Sequence, residues 1–255
     1  MSKASNIIRR FNRFELKYLL SADQARTFEE EIKEYLHPDE YGDDGRYAIS
    51  SLYYDTPKYL FYWEKVEGIK FRRKLRIRQY ESQEILKEES PVFVEIKQRL
   101  NRVTQKRRVV LSYKDALTLC DYAKLPKSFD KKDLPVIEEI QDMVTRYNLQ
   151  PSAITSYFRK AYSGNDLDMG LRVTFDSNLR YRTNDIRLES KKIGEFMLPP
   201  DAIVMEIKAN ERVPYWLTEL VGEHNLRLIR VSKYCQGLEV AERVPKSKFF
   251  LTTSS

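Results

Sequence analysis

The segment IKFRRKLRIRQY at 69–80 constrains the fold more than any other part of the chain. In an extended conformation Ile69, Phe71, Arg73, Leu75 and Ile77 share one face, while Lys70, Arg72, Lys74, Arg76, Arg78 and Tyr80 share the other. The second face therefore carries an unbroken row of cations. Neighbours on one face of a strand stand about 6.6–7 Å apart, where two unit charges repel by about 2–2.5 kcal/mol at an effective dielectric of ~20. A single such strand is most simply a solvated face. Repetition of the pattern with one sign, without interspersed acids, calls for an anion to neutralise it.

The alternation recurs at 14–18, 47–54, 92–99, 103–111, 152–161, 171–175, 203–209 and 227–233. On these strands Glu95, Lys97 and Arg99 share a face, as do Lys106 and Arg108, and Glu206 and Lys208. Helices are expected from Ser21, where a capping box with Gln24 precedes Ala25, Phe28 and Ile32, and from Ser112, Pro135, Pro214 and Ser232. Turn signals and short helices between so many strands point to an α+β protein built on an antiparallel sheet or closed barrel. Neither a long linker nor an internal repeat interrupts the pattern, so a single domain over 1–255 is expected.

Among the 255 residues, 45 Lys and Arg face 38 Asp and Glu, a net charge of +7, which favours a polyanionic partner. Two Cys and two His leave little for a zinc site or a disulfide scaffold. The sequence has no secretory leader and no apolar stretch of membrane-spanning length, so a soluble, cytoplasmic protein without a membrane segment is expected. Arg and Lys suit phosphate oxygens. Nucleic acid is the rival partner, but most of the aromatic residues fall on apolar faces rather than on a stacking platform. Neither GxxxxGK[ST] nor GxGxxG occurs. Phosphates would then be held by side chains, which fits short phosphate chains better than nucleic acid.

These segments also resemble a known family. Arg13-x-Glu15-x-Lys17 looks like a variant of the ExExK signature of the triphosphate tunnel metalloenzymes, the CYTH superfamily. The ordered set of 51–78, VFVEIKQR at 92–99, RVTFDSNLRYR at 172–182, VMEIKANERVPYW at 204–216 and RVSKYC at 230–235 is most similar to the VTC domain, the polyphosphate-polymerase branch. The resemblance implies an antiparallel β-barrel tunnel with helices outside. It implies ATP and inorganic polyphosphate or triphosphate as ligands, and Mg²⁺ or Mn²⁺ as cofactor. Residue by residue, it assigns catalysis to Arg76, Arg78, Lys97 and Arg159. It assigns phosphate binding to Lys17, Lys106, Arg108, Lys208, Ser232 and Lys233, and metal binding to Glu206 and Glu15. Arg13 departs from the signature by replacing its first acid, as in the polymerase branch. The sequence contains no SPX domain, which leads to the expectation of a stand-alone bacterial form.

Polymerase, metal-dependent triphosphatase and non-catalytic polyphosphate-binding module all remain open at this point, as does the oligomeric state. Glu95 reads best as an ion-pair partner of its cationic neighbours, and Glu15 reads equally as a ligand or as a balance for Lys17. Asp55 and Asp176 are expected in turns or caps. Cys120 and Cys235 are expected in the core, and His224 at the surface or at a helix end.

Overall fold

The computed structural model describes residues 13–81, 86–101, 103–165, 168, 170–210 and 212–252. The Arg13 side chain, singled out above, lies outside the described residues. The elements run in the order β1 (Arg13–Leu20), α1 (Ala22–Ile32), β2 (Leu36–Pro38), β3 (Arg46–Asp55), α2 (Leu60–Val66), β4 (Phe71–Glu81), β5 (Pro91–Leu100) and β6 (Val103–Ser112). They continue with α3 (Tyr113–Tyr122), α4 (Leu134–Tyr147), β7 (Gln150–Gly164), β8 (Arg172–Arg182), β9 (Glu195–Phe196), β10 (Ile203–Asn210), α5 (Tyr215–Glu223), β11 (Arg227–Leu228) and α6 (Lys233–Val240). All strand pairs are antiparallel, in the order β11-β1-β10-β8-β7-β3-β4-β5-β6, with β2 joined to β7 and β9 to β8.

This sheet is strongly curled. Six strand spacings separate β1 from β5 along the hydrogen-bonded path, about 29 Å if the sheet were flat. Yet Lys97 Nζ of β5 lies 3.2 Å from Glu15 Oε2 of β1. The expected barrel is corrected in one respect, because backbone pairing among the described residues does not close the ring between its two edges. Side chains cross that seam instead: Lys97 meets Glu15, and Lys74 of β4 donates to Ser232 Oγ at 2.7 Å.

Most apolar positions of β1, β4, β5, β6 and β10 face outward, where helices cover them, whereas Ile49, Tyr157 and Val204 share the parity of Ser51, Arg159 and Glu206 and pack together on the concave side. Leu75, Ile77, Val94, Ile96 and Val109 pack against Ala116, Leu119 and Cys120 of α3 and Ile137 and Ile140 of α4. Tyr18, Met205 and Ile207 pack against Phe28 and Ile32 of α1 and Leu217 of α5. The capping box of Ser21 and Gln24 forms as expected. The strand expected over 227–233 ends at Leu228, because Ser232 accepts from the Cys235 amide and starts α6. Helix α2 is capped from just upstream, where Thr56 Oγ1 accepts from the Leu60 amide at 3.0 Å. Its amides at Phe61 and Tyr62 are taken by Asp55, whose Oδ1 and Oδ2 accept at 2.9 and 3.1 Å, so Asp55 is a cap as expected. Burial nevertheless raises the Asp55 pKa above its ordinary value, against the Tyr234 hydrogen bond and the helix amides.

Arg73 is the most buried of the cations on the outward face. It pairs with Glu64 of α2, which also accepts from the Arg73 amide at 2.8 Å, and its guanidinium lies 4.2 Å from the Tyr147 ring centroid. Removing one partner of a buried pair leaves an uncompensated charge at a cost of about 3–5 kcal/mol. Glu64→Ala is therefore expected to lower the unfolding free energy by an amount in that range, read in urea as a lower midpoint with the slope of the transition unchanged. A loss of unfolding free energy below about 1 kcal/mol would show that Arg73 finds another partner or solvent.

Candidate functional site

Most charged positions of the strands turn to the concave face, whereas Arg73, Arg107 and Lys160 turn outward to Glu64, Glu139 and Glu29 of the covering helices. Register places the inward ones in rows across neighbouring strands. Lys74, Lys97 and Lys106 stand opposite one another on β4, β5 and β6. The next row is Tyr53, Arg76, Glu95 and Arg108, and the one after it joins Thr155, Ser51, Arg78 and Phe93. On the other limb of the sheet Lys17, Glu206 and Thr174 form one row, and Glu15, Lys208 and Arg172 another. Three ammonium groups directly opposite one another destabilise a sheet, so the lysine row is costly in the absence of an anion.

Four carboxylates hold the cations. Asp176, fully buried on β8, accepts from Arg159 Nε and Nη2 at 2.7 and 2.8 Å and from Lys233 Nζ at 2.6 Å. This corrects the expectation that Asp176 belongs to a turn: it sits mid-strand, with its side chain turned inward. Glu95 accepts from Arg76 Nε at 2.8 Å and lies 2.5 Å from Lys106 Nζ, the ion-pair role expected of it. Glu206 lies 3.4 Å from Lys208 Nζ and 3.8 Å from Arg159 Nη2. Glu15 lies 3.7 Å from Lys17 Nζ as well as touching Lys97.

Lys17, Arg76, Arg78, Lys97, Arg159 and Lys233, given site roles above by the resemblance, adjoin a common set of acids and aromatic rings. Lys233 and Arg159 share Asp176, and both stand over the Tyr157 ring, at 4.6 and 5.3 Å from its centroid. Arg78 donates to the Tyr157 hydroxyl at 3.3 Å and to Ser51 Oγ at 3.0 Å. Arg76 adjoins Glu95, Lys17 donates to the Val231 carbonyl at 3.2 Å, and Lys97 reaches Glu15. Ser232 adjoins them through Lys74. Lys106 and Arg108 stand at the exposed rim on β6, Arg108 over the Phe93 ring at 4.8 Å.

Electrostatics reflect this crowding. Burial raises the Asp176 pKa, but Arg159 and Lys233 outweigh it and hold the group at about 2. Burial also raises the Glu95 pKa, and Arg76, Arg78 and Lys106 bring it to about 2. Burial opposes ionisation of Glu206 too, and Lys17, Lys208, a hydrogen bond from Glu15 and Arg159 together hold its pKa well below the ordinary carboxylate value. Desolvation lowers Lys208 to about 8 despite Glu206. Lys17 stays above its ordinary value because Glu206, Glu15 and Asp176 outweigh burial.

Several residues of this face were not marked as site residues in the sequence. Lys74 lies on the cation row already visible in the alternation and was open to selection by parity alone. Tyr53, Tyr157 and the buried hydroxyls of Thr155 and Thr174, which have no hydrogen-bond partner here, become visible only once the sheet curls. Cys120 and Cys235 are buried, and His224, at the end of α5, faces Glu31 at 3.0 Å, all as expected.

Fold and charge together define a curled antiparallel sheet that presents Arg and Lys inward. The chain belongs to the VTC domain family, whose model matches residues 12–242. Subunit 4 of the vacuolar transporter chaperone complex of Trypanosoma brucei brucei (strain 927/4 GUTat10.1) is 25% identical over 221 residues, covering 74% of this chain and 28% of that protein. The same subunit of Trypanosoma cruzi (strain CL Brener) matches at 25% identity with the same coverage. The chain thus spans about 28% of the length of these curated relatives. Among solved structures, a suspected adenylate cyclase from Bacillus halodurans aligns over 86% of this chain and 92% of that one, at 15% identity and a TM-score of 0.46. No helix among the described residues is long and apolar enough to cross a membrane.

The Asp176 cluster sets an acid limit. Its pKa is depressed on folding, so the stability it contributes is present above the unfolded value near 4 and is lost as pH falls through about 2. Asp176→Asn is expected to cost about 3–5 kcal/mol at neutral pH, since Arg159 and Lys233 lose their shared partner. It should also flatten the dependence of stability on pH between about 4 and 2. Chemical denaturation of both proteins at neutral and acid pH measures both effects; equal stabilities at neutral pH would overturn the role given to Asp176.

Proposed function

We propose that the chain is a phosphoryl transferase of the polyphosphate-polymerase kind, moving the terminal phosphate of ATP onto a polyphosphate chain along the concave face. The observation that carries the reading is the row Lys74, Lys97 and Lys106. Three ammonium groups on adjacent strands, with Glu95 already committed to Arg76 and Lys106, form a surface that a string of phosphates would neutralise. Membership of the VTC domain family supports the reading, and so do relatives named as vacuolar transporter chaperone subunit 4.

In this proposal Arg76, Arg78, Lys97 and Arg159 clamp and align the reacting phosphates. Lys17, Lys106, Arg108, Lys208, Ser232 and Lys233 hold the remainder of the chain. The two Cys are buried and His224 is engaged by Glu31, so the transfer is direct and relies on in-line positioning and charge neutralisation. Arginine forks match phosphate oxygens in pairs, and the belt continues on both sides of them, which suits a polymer.

Among the described residues no group of three or more His, Cys, Asp or Glu gathers as a metal cage. Glu15 and Glu206, however, stand on the neighbouring strands β1 and β10, each beside the other's cross-strand partner, and offer hard oxygen donors. Two carboxylates fit Mg²⁺ or Mn²⁺ of the kind that completes its shell with substrate phosphates and water. Glu206 and Glu15 would hold the ion, and its charge would offset that on the phosphate oxygens.

Incubation with ATP and Mn²⁺, followed by gel analysis of the products, tests the reading. Long polyphosphate with ADP is the expected result; free phosphate instead would make the protein a triphosphatase, and binding without turnover a module that only holds the polymer. Inorganic triphosphate at a hundredfold excess over its dissociation constant should stabilise the fold by about 2.7 kcal/mol. A melting temperature that triphosphate does not move at moderate salt would count against any phosphate-chain site. Arg78→Ala should weaken nucleotide binding and turnover together, because a charge-assisted contact is lost from ground and transition states alike. Glu206→Gln should collapse turnover while metal-free triphosphate binding survives, and full metal-dependent activity in this variant would remove Glu206 from the ligand set.

A further inference from the structure

Tyr53 occupies the concave face where cations are densest. Its side chain is 6% exposed, and its ring stacks on Tyr234 of α6 with centroids 4.8 Å apart. Arg76 Nη1 donates to its phenol oxygen at 3.0 Å. Arg76 Cζ and Lys74 Nζ stand 5.8 and 6.0 Å from its ring centroid. Arg78 on β4 and Lys17 on β1 add positive potential, and Lys233 begins the helix that carries Tyr234.

The acids around Tyr53 are committed elsewhere. Glu95 of β5 is held by Arg76 and Lys106. Asp55, on the strand of Tyr53 itself, accepts from the Tyr234 hydroxyl and the α2 amides. Toward β7 the neighbour is Ala153, and toward α2 it is Tyr62, whose hydroxyl goes to Glu239. Among the described residues, no acceptor takes the proton of the Tyr53 hydroxyl, whereas a guanidinium already donates to its oxygen. An oxygen that only accepts, among cations without acids to spare, is placed as a phenolate is placed.

We propose that Tyr53 serves the empty site as a built-in counter-anion, and that an arriving phosphate chain returns a proton to it and makes its hydroxyl a donor to that chain. The inference rests on the phosphate-chain reading above. In the exchange one O–H bond forms on Tyr53 while a bond to hydrogen breaks in the buffer acid or water that supplies the proton, leaving its conjugate base in solution; no other bond changes. Burial alone would raise the Tyr53 pKa, but Arg76, Lys74 and Arg78 outweigh burial and bring it to about 7. A polyanion beside a phenolate repels it, so binding raises that pKa and takes up a proton wherever the empty site was ionised. This contribution weakens affinity by up to about tenfold per pH unit above about 7. Lys208, at about 8, and the phosphates themselves titrate equally in wild type and in Tyr53→Phe, so the difference between the two isolates the phenol.

Tyr53→Phe keeps the stacked ring and removes the ionising oxygen. Ultraviolet titration of the ligand-free proteins should show one tyrosinate forming around neutral pH in the wild type and none in the variant; inorganic triphosphate should abolish the signal. Calorimetry of triphosphate binding, in buffers of differing ionisation heat at mildly alkaline pH, should give wild type most of one proton more than the variant. If no tyrosine ionises well below the ordinary range, near 10, the counter-anion is overturned, whatever triphosphate does. Equal proton uptake by the two proteins overturns the exchange. Failure of the wild type to bind triphosphate in any buffer overturns the phosphate-chain reading together with the exchange, while the absorbance titration still decides the state of Tyr53.

Discussion

Repulsion among like charges on the inside of a curled sheet is the constraint that the rest of this structure answers. Same-face and cross-strand spacings bring Lys and Arg within reach of one another on β4, β5 and β6, where each close pair costs on the order of 2 kcal/mol. Asp176 and Glu95 each hold two cations, and Glu206 and Glu15 lie between others. The carboxylates are fewer than the cations they serve. The concave face thus remains positive after every internal pairing has been made.

The same arrangement explains why the helices lie where they do. With most charge turned inward, most hydrophobic positions of the strands face outward, and a curled sheet can bury them only beneath other elements. Helices α3 and α4 cover the β4–β6 limb, and α1 and α5 cover β1 and β10. Helix α6 packs with Tyr53 and Ala153 through Tyr234, Cys235 and Leu238, and brings Ser232 and Lys233 to the cations. The burial that stabilises the fold therefore lies largely on the opposite side of the strands from the charge.

Period-two alternation made most of the sheet legible, including the inward direction of Lys74, Arg76 and Arg78. Local signals sufficed where the structure is local, as at the Ser21 capping box. They failed where the determining contact is remote. Asp176 in FDS reads as turn chemistry, yet it lies mid-strand, because the Arg159 and Lys233 that require it are 17 and 57 residues away. The identity of the cations was thus readable from parity and family likeness. How their charge is shared among acids and phenols was not, because that depends on which strands the curl brings face to face.

The seam between β1 and the β4–β5 hairpin differs in kind from the other junctions around the curl. Elsewhere neighbouring strands are joined by backbone ladders, in which each amide bond contributes about 1 kcal/mol and many must break together. Here the ties are Lys97 to Glu15 and Lys74 to Ser232. An exposed ion pair contributes at most about 1 kcal/mol and weakens in salt. These polar ties are weaker than a backbone ladder, and the firmer hold on this side comes from α6, whose Tyr234 and Leu238 pack on Tyr53 and Ala153. Along this one line the curl is held by side chains rather than by backbone, so its closure there answers to salt and to pH as the ladders elsewhere do not.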